Sequence, residues 1–145
     1  MARTAGAISS EGAVPNTVAL VERANRAFAT DNVKLLRSLC HESLELRPVD
    51  ALGFVSETLH GFEAAREWVL RRRALGYEVS IWVRTLEAVG DDAVLGVGVV
   101  SEHGHMDHGY AATVAWVWHV RDGRIACVYG YPSEAAARRD LNGRG

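Results

Sequence analysis

A predicted β-hairpin between Tyr110 and Pro132 is the feature that most constrains the fold. Two runs rich in Val, Ile, Trp and Tyr flank the pair Asp122-Gly123. Asp-Gly between apolar runs is the strongest short-range signal for a two-residue hairpin turn. Counting outward from this turn pairs Val120 with Ile125 first, and directly opposed residues share a face of the sheet.

The two faces predicted by this register differ in the size of their side chains. The aromatic face holds Val114, Trp116, Trp118, Val120, Ile125, Tyr129 and Tyr131, and the shallow face holds Thr113, Ala115, Val117, His119, Ala126, Val128 and Gly130. A hairpin in a small domain normally exposes one face to water. Neither face here is polar enough to be exposed to water. We therefore expect helices over one face and a second copy of the chain, or a second sheet, over the other.

Helical periodicity and capping residues predict four helices around the hairpin. They are expected from Asn16 or Thr17 to about Thr30, from Asn32 to His41, from Phe62 to Leu75 and, after a Ser133 cap, from Glu134 to Leu141. Further strands are expected over Ser43 to Arg47, Tyr77 to Val89 and Ala93 to about Ser101. This order of elements predicts an α+β domain with helices against one face of a curved sheet.

Length and composition restrict the class of protein. A chain of 145 residues suits one domain, and a formal net charge of −2 with interspersed signs favours neither nucleic acid nor an anionic membrane as a partner. No stretch reaches the roughly 18 apolar residues of a spanning helix. Cys40 and Cys127 lie in apolar runs, which suits buried thiols in a reducing compartment. We expect a cytoplasmic protein with one domain over 16–141, a disordered lead-in at 1–15 and a frayed tail at 142–145.

Several phrases of the sequence resemble a known family. They are ALVERANRAFATDNVKLLRSL for the paired opening helices, LHGFEAAREWVLRRR for the third helix, and VWHVRDGRI with the following YGYPSEAAARRDL. Over residues 17–141 the chain resembles the nuclear-transport-factor-2-like superfamily, in particular its SnoaL-like, polyketide-cyclase-like branch. The resemblance implies a cone-shaped curved antiparallel sheet with three helices on its concave face and a short C-terminal helix. It also implies a pocket between sheet and helices, and a homodimer packed through its sheets.

The catalytic residues of this superfamily do not carry over to the chain. The residues that hold and activate the water in limonene-epoxide-hydrolase-like members fall on Gly98, Val100 and Gly130. In ketosteroid-isomerase-like members, the positions of the proton-shuttling Asp and of the Tyr–Asp pair that stabilises the enolate fall near Arg47, Ala24 and Ala115. The first three have no side chain that can bond a water, and an Arg cannot serve as a carboxylate base. Two functions therefore stay open. One is a cyclase, isomerase or hydratase acting on a polyketide- or terpenoid-like substrate, and the other is a non-catalytic ligand-binding or dimeric interaction domain.

The shallow face is the predicted pocket wall, because two of those vacated positions, Ala115 and Gly130, lie on it. The polar candidates for catalysis are His119, Arg47 and Asn25, of which the imidazole titrates near neutral pH. The predicted substrate-binding residues are Phe28, Trp68, Gly98, Ala115, Val117, Val128 and Gly130. Gly98, Ala115 and Gly130 have little or no side chain, which fits either a cavity for an apolar ligand or close packing against the sheet. No cofactor is predicted.

The aromatic face is then left for a partner. Aromatic side chains dominate the centres of buried interfaces. We therefore expect a homodimer that contacts through Trp116, Trp118, Tyr129 and Tyr131.

The segment HGHMDHG resembles the metal-binding signature of the metallo-β-lactamase superfamily. That fold is considerably larger and needs further ligands downstream, where His119 is the one histidine left. The segment fits a loop between two strands, so no metal site is predicted. Casual capture of a metal by His103, His105, Asp107 and His108 stays open.

Overall fold

The computed structural model describes residues 16–103 and 109–143. Its elements are α1 (Thr17–Ala29), α2 (Val33–Leu39), β1 (Cys40–Arg47), β2 (Leu59–His60), α3 (Phe62–Ala74), β3 (Glu78–Val89), β4 (Ala93–His103), β5 (Tyr110–Arg121), β6 (Arg124–Tyr131) and α4 (Glu134–Gly143). The predicted α+β class is confirmed. The predicted lead-in and residues 104–108 of the histidine segment, which include His105, Asp107 and His108, lie outside the described residues.

The six strands form one open, curved sheet in the order β2-β1-β6-β5-β4-β3. One pair departs from the antiparallel pattern: β1 and β6 run parallel, with Leu46 beside Val128. Parallel neighbours need a long connection rather than a hairpin, and most of the chain lies between these two strands. No helix among the described residues is long and apolar enough to cross a membrane.

Side-chain caps fix where the helices begin. The Asn16 side chain accepts a hydrogen bond from the Ala19 amide at 3.0 Å, and the Ser133 hydroxyl accepts one from the Ala136 amide at 3.1 Å. Each cap satisfies a backbone donor that the helix itself leaves free, so the predicted starts of α1 and α4 are confirmed. The end of α2 comes earlier than predicted, because the backbone turns extended at Cys40.

The hairpin turn forms as predicted. Asp122 and Gly123 have φ angles of 55° and 74°, the left-handed values that a type I′ turn requires at both central positions. Val120 pairs with Ile125 on either side of the turn.

A β-bulge at Ala126 makes the rest of the predicted register wrong. His119 pairs with Cys127 instead of Ala126, and every later pair is shifted by the same residue. The bulge places two residues of β6 opposite one of β5. Since side chains alternate between faces, β6 beyond the bulge presents the opposite set of side chains from the one expected.

The four aromatic side chains expected on one face are therefore divided between two. Trp116 and Trp118 lie on the inner face, the face of the sheet that packs against α1, α2 and α3, and are 5% and 4% exposed. Tyr129 and Tyr131 lie on the outer face, where Tyr131 packs beside Ala137 of α4. The prediction that all four form one interface surface is wrong for this reason, and dimerisation itself stays a prediction.

Three glycines of the sheet, Gly96, Gly98 and Gly130, are sites of close packing. A Cβ atom on Gly96 would lie 2.6 Å from the Trp118 ring, and one on Gly130 would lie 2.6 Å from Cγ1 of Val49. At Gly98 the obstacle is backbone, because a Cβ there would lie 2.1 Å from the carbonyl oxygen of Trp82. Of the two alternatives left open by the sequence, close packing is the one found at these glycines.

We predict that Gly98→Ala destabilises the protein strongly, by about 3 kcal/mol or more. The added methyl group collides with main-chain atoms of β3, which cannot move aside as a flexible side chain would. Urea unfolding of the variant measures the loss. Gly143→Ala is the control, because a Cβ atom there meets nothing within 4 Å. Equal stability of the two variants would contradict this account of the β3–β4 contact.

Candidate functional site

A partly enclosed cavity of about 160 Å³ lies between the inner face of the sheet and the first three helices. Its lining is mostly apolar and includes Phe28, Val69, Trp116, Trp118, Ile125 and Val128. The ring centroids of the two tryptophans are 6.1 Å apart and their planes are tilted by 42°. The cavity therefore offers aromatic and aliphatic surface to a ligand.

The bulge at Ala126 explains why two residues of β6 line this cavity. Ile125 and Val128 are three positions apart and would face opposite sides of a regular strand. The extra residue between them turns both towards the helices. Trp116, Trp118 and Ile125 thus come from the hairpin face that the sequence assigned to a partner, whereas Val128 comes from the face predicted to be the pocket wall.

A smaller cavity of about 60 Å³ adjoins the first and shares Phe28, Val69 and Trp116 with it. Arg72 lines this second cavity and donates two hydrogen bonds to the Glu102 carboxylate, at 2.5 and 2.6 Å. The positive charge of Arg72 is therefore balanced by the carboxylate of Glu102.

Four residues bring polar atoms to the larger cavity: Asn25, Asp31, Arg66 and Arg73. Asp31 Oδ1 lies 3.4 Å from Arg73 Nη1 and 3.9 Å from Arg66 Nη1. Asp31 follows α1 in a left-handed conformation, with φ of 56°, which Asp tolerates better than most residues. We call Asp31, Arg66 and Arg73 the charged rim.

The Cys40 thiol also lines the cavity but is not a nucleophile at neutral pH. Burial raises the pKa of Cys40 from 9.0 to about 11. The thiolate is the reactive form of cysteine, and burial in apolar surroundings suppresses it. Cys40 thus adds weakly polar surface to the cavity rather than reactivity.

The structure brings some of the predicted site residues to the two cavities. Asn25, Phe28 and Val128 line the larger one, and Phe28 and Trp68 line the smaller one. Helical periodicity was sufficient to place Asn25, Phe28 and Trp68, whereas Val128 lines the cavity because of the bulge and not because of the predicted register. That these residues contact a substrate stays a prediction.

The structure places other predicted residues on the outer face, away from the cavities. These residues are Ala115, Val117, His119 and Arg47. The Arg47 guanidinium carbon lies 4.8 Å from the ring centroids of both Tyr129 and Tyr131, and the His119 ring packs edge-on against Tyr129. The sheet therefore separates Asn25 from Arg47 and His119, and the three do not form one site. The pocket wall predicted for the shallow face is wrong because α1, α2 and α3 pack against the tryptophan face of β5, which leaves Ala115 and Val117 on the outer face.

The charged rim is the part of the site that sequence reasoning missed. Arg66, Val69 and Arg73 follow the i, i+3, i+7 spacing that places residues on one face of a helix. This spacing was a usable signal, but the run Arg71-Arg72-Arg73 also fits a solvated helix end near the negative pole of the helix dipole. The partner carboxylate, Asp31, is 42 residues from Arg73 in sequence and has no local pattern linking it to α3.

No group of three or more His, Cys, Asp or Glu side chains that could hold a metal ion is found within residues 16–103 and 109–143. Of the histidine segment, the description therefore covers His103 and Gly109, where a Cβ on the glycine would lie against the His103 ring.

Comparison with known proteins identifies the fold independently. The family model of the SnoaL-like domain matches residues 21–128. A search of curated proteins finds no match to the chain.

Solved structures similar to this one share little sequence with it. A proposed polyketide cyclase from Xanthomonas campestris pv. campestris has a TM-score of 0.67 at 18% identity, over 82% of this chain and 92% of that chain. TerC, co-crystallised with polyporic acid, has a TM-score of 0.67 at 15% identity, and the match covers 86% of this chain and 95% of that chain. An LEH-like epoxide hydrolase from M. tuberculosis has a TM-score of 0.58 at 21% identity, and the match covers 79% of this chain and 80% of that chain. At these identities the likeness shows the fold alone.

Alkaline unfolding tests the buried thiol. The unfolded chain loses the Cys40 proton near pH 9, whereas the folded chain keeps it to about pH 11. The folded state binds more protons in this window, so the free energy of unfolding falls as pH rises, by about 1.4 kcal/mol per pH unit for this group. We expect Cys40→Ala to flatten the decline between pH 9 and 10, measured by urea unfolding. A parallel measurement at pH 7 isolates the cost of deleting the sulfur, and equal slopes for the two proteins would refute the assignment.

Proposed function

Because the chain belongs to the SnoaL-like domain family, we propose that it binds a small, largely apolar molecule of polyketide or terpenoid type in the larger cavity. The observation that carries the proposal is the cavity itself, about 160 Å³ lined mostly by apolar side chains with a few polar groups. Ligand sites in proteins are typically concave and apolar, with a small number of polar groups that fix orientation.

The cavity volume limits the size of the ligand body. An enclosed apolar cavity of about 150 Å³ binds benzene. This cavity is open at one side and has a second cavity of about 60 Å³ beside it, so it suits a body of one or two rings with substituents that project outward. The tryptophan pair offers ring surfaces for such a body.

Asn25 supplies the polar contact that orients the ligand. Its side chain lines the cavity, and no hydrogen bond of that side chain is found among the described residues. An amide group can both donate and accept, so it suits a ketone or hydroxyl oxygen on an otherwise apolar molecule.

A cyclase, isomerase or hydratase reaction also needs a group that moves a proton. Asp31 is the one carboxylate among the described residues that line the cavity, and Cys40 keeps its proton at neutral pH. Asp31 is therefore the residue to which we assign proton transfer if the bound molecule is converted.

Non-catalytic binding is the second candidate, and the rim itself favours it. Two guanidinium groups flank Asp31, at 3.9 and 3.4 Å from Oδ1, so its carboxylate is already engaged in ion pairs. His119, the predicted acid–base residue, is on the outer face. The two candidates are separated by whether a molecule that binds in the cavity is also converted.

We also propose that the chain acts as a cytoplasmic homodimer that contacts through the outer face. In support, this face carries Trp82, which is 64% exposed and shares its side of the sheet with Val99, its partner on β4. Large exposed aromatic side chains are typical of interface centres.

Val69→Phe tests the cavity directly. Val69 lines both cavities, so the larger ring is expected to enter empty space, leave the free energy of unfolding within about 1 kcal/mol and block ligand. Binding of 2-naphthamide, a neutral two-ring probe, is measured by calorimetry alongside urea unfolding. The matched control is Val117→Phe, since Val117 is fully buried on the outer face, where the same change overpacks a filled core and costs about 1–3 kcal/mol. Retained naphthamide binding by a folded Val69→Phe protein would overturn the proposal.

A further inference from the structure

We infer that the ligand of the larger cavity carries an anionic oxygen group, a carboxylate or an ionised acidic hydroxyl, which Arg66 and Arg73 bind at the charged rim. This inference rests on the proposed function and names the chemical class of its ligand.

Among the described residues, the rim holds two guanidinium groups and one carboxylate, so one positive charge is not balanced. Arg66 and Arg73 share a single carboxylate, that of Asp31, across distances of 3.9 and 3.4 Å. Hydrogen bonds between a guanidinium and a carboxylate are normally about 2.7–2.9 Å long and often paired. Each guanidinium has five donors, so most of the donors at the rim are left for a ligand.

The other arginines of α3 show what a matched pair looks like in this protein. Arg71 donates to Glu67 at 2.5 Å, one helical turn away, and Arg72 makes the two short bonds to Glu102. Each therefore has a carboxylate of its own. The two arginines of this helix that line the larger cavity are the two that share one.

Partial burial strengthens the rim as an anion site. The side chains of Arg66 and Arg73 are 30% and 44% exposed, against 67% for Arg71 on the same helix. Electrostatic attraction grows as solvent is displaced, so an anion at the rim is bound more strongly than one on the open surface.

The positions of the apolar and charged groups define the ligand as a whole. The tryptophans and the aliphatic side chains of the cavity take the ring body, and the rim takes the anionic oxygen. Since a carboxylate accepts two parallel hydrogen bonds from a guanidinium, an aromatic acid fits this arrangement. A neutral apolar molecule would leave the rim arginines without a ligand contact.

The test compares two probes with the same ring body, the anion 2-naphthoate and the neutral 2-naphthamide, by calorimetry at low ionic strength. We expect the wild type to bind naphthoate about ten times more tightly. Arg66→Gln and Arg73→Gln should each remove most of that preference, measured as the ratio of naphthoate affinity to naphthamide affinity. Arg71→Gln is the matched control, because it removes the same charge from the same helix outside the cavity. Its preference for naphthoate should equal that of the wild type.

Asp31→Asn adds a gain of function that misfolding cannot imitate. It removes the competing carboxylate, and Asn tolerates the left-handed backbone at this position. The ratio of naphthoate affinity to naphthamide affinity should be larger for this variant than for the wild type.

The outcomes separate this inference from the proposed function. Naphthamide binding without a preference for naphthoate, or a preference that survives both rim substitutions, overturns the anionic ligand and leaves the apolar cavity as a binding site. Binding of neither probe to the wild type overturns both.

Discussion

The single extra residue at Ala126 decides which side chains of the hairpin meet the helices. Without the bulge, a strand with a side-chain period of two would send Ile125 and Val128 to opposite faces. With it, both face the helices, beside the tryptophans of β5. The bulge also sends the tyrosines of β6 to the outer face, where α4 packs. The composition of both cores and the lining of the cavity therefore depend on this one irregularity.

A second requirement follows from placing two tryptophans on the inner face. Their rings need room, and Gly96 provides it, because any side chain there would occupy the position of the Trp118 ring. The glycines of β4 thus do not widen the cavity themselves. Gly96 leaves room for the Trp118 ring beside the sheet, and the cavity lies between the tryptophan rings and the helices.

The sequence predicted the features that neighbouring residues determine. It did not predict the features that depend on a single extra residue in a strand or on a contact between residues far apart in sequence. The Asp-Gly turn, the helix caps and the helical periodicity are local, so the elements and the fold class followed from them, as did the placement of Asn25 and Phe28 at the cavity. Nothing in the phrase IACVYGY marks Ala126 as a bulge, because the apolar pattern reads as continuous with or without one. The charged rim was missed because Asp31, in the turn after α1, meets Arg73 of α3 only in the tertiary structure, 42 residues away in sequence.

The polar groups of this domain fall into two sets with different consequences for function. On the outer face, the Tyr131 hydroxyl donates to the Asp140 carboxylate of α4, and burial together with this bond raises the pKa of Tyr131 to about 12. A hydroxyl held protonated in this way acts as a permanent donor that joins α4 to the sheet rather than as an acid at neutral pH. On the inner face the rim ions are only partly matched and border empty space. Polar groups that are fully paired with one another, such as Tyr131 and Asp140, stabilise the fold. An unbalanced charge beside a cavity is available to bind a ligand. The sheet keeps the two sets apart, so substitutions at the rim are able to alter binding without loosening α4.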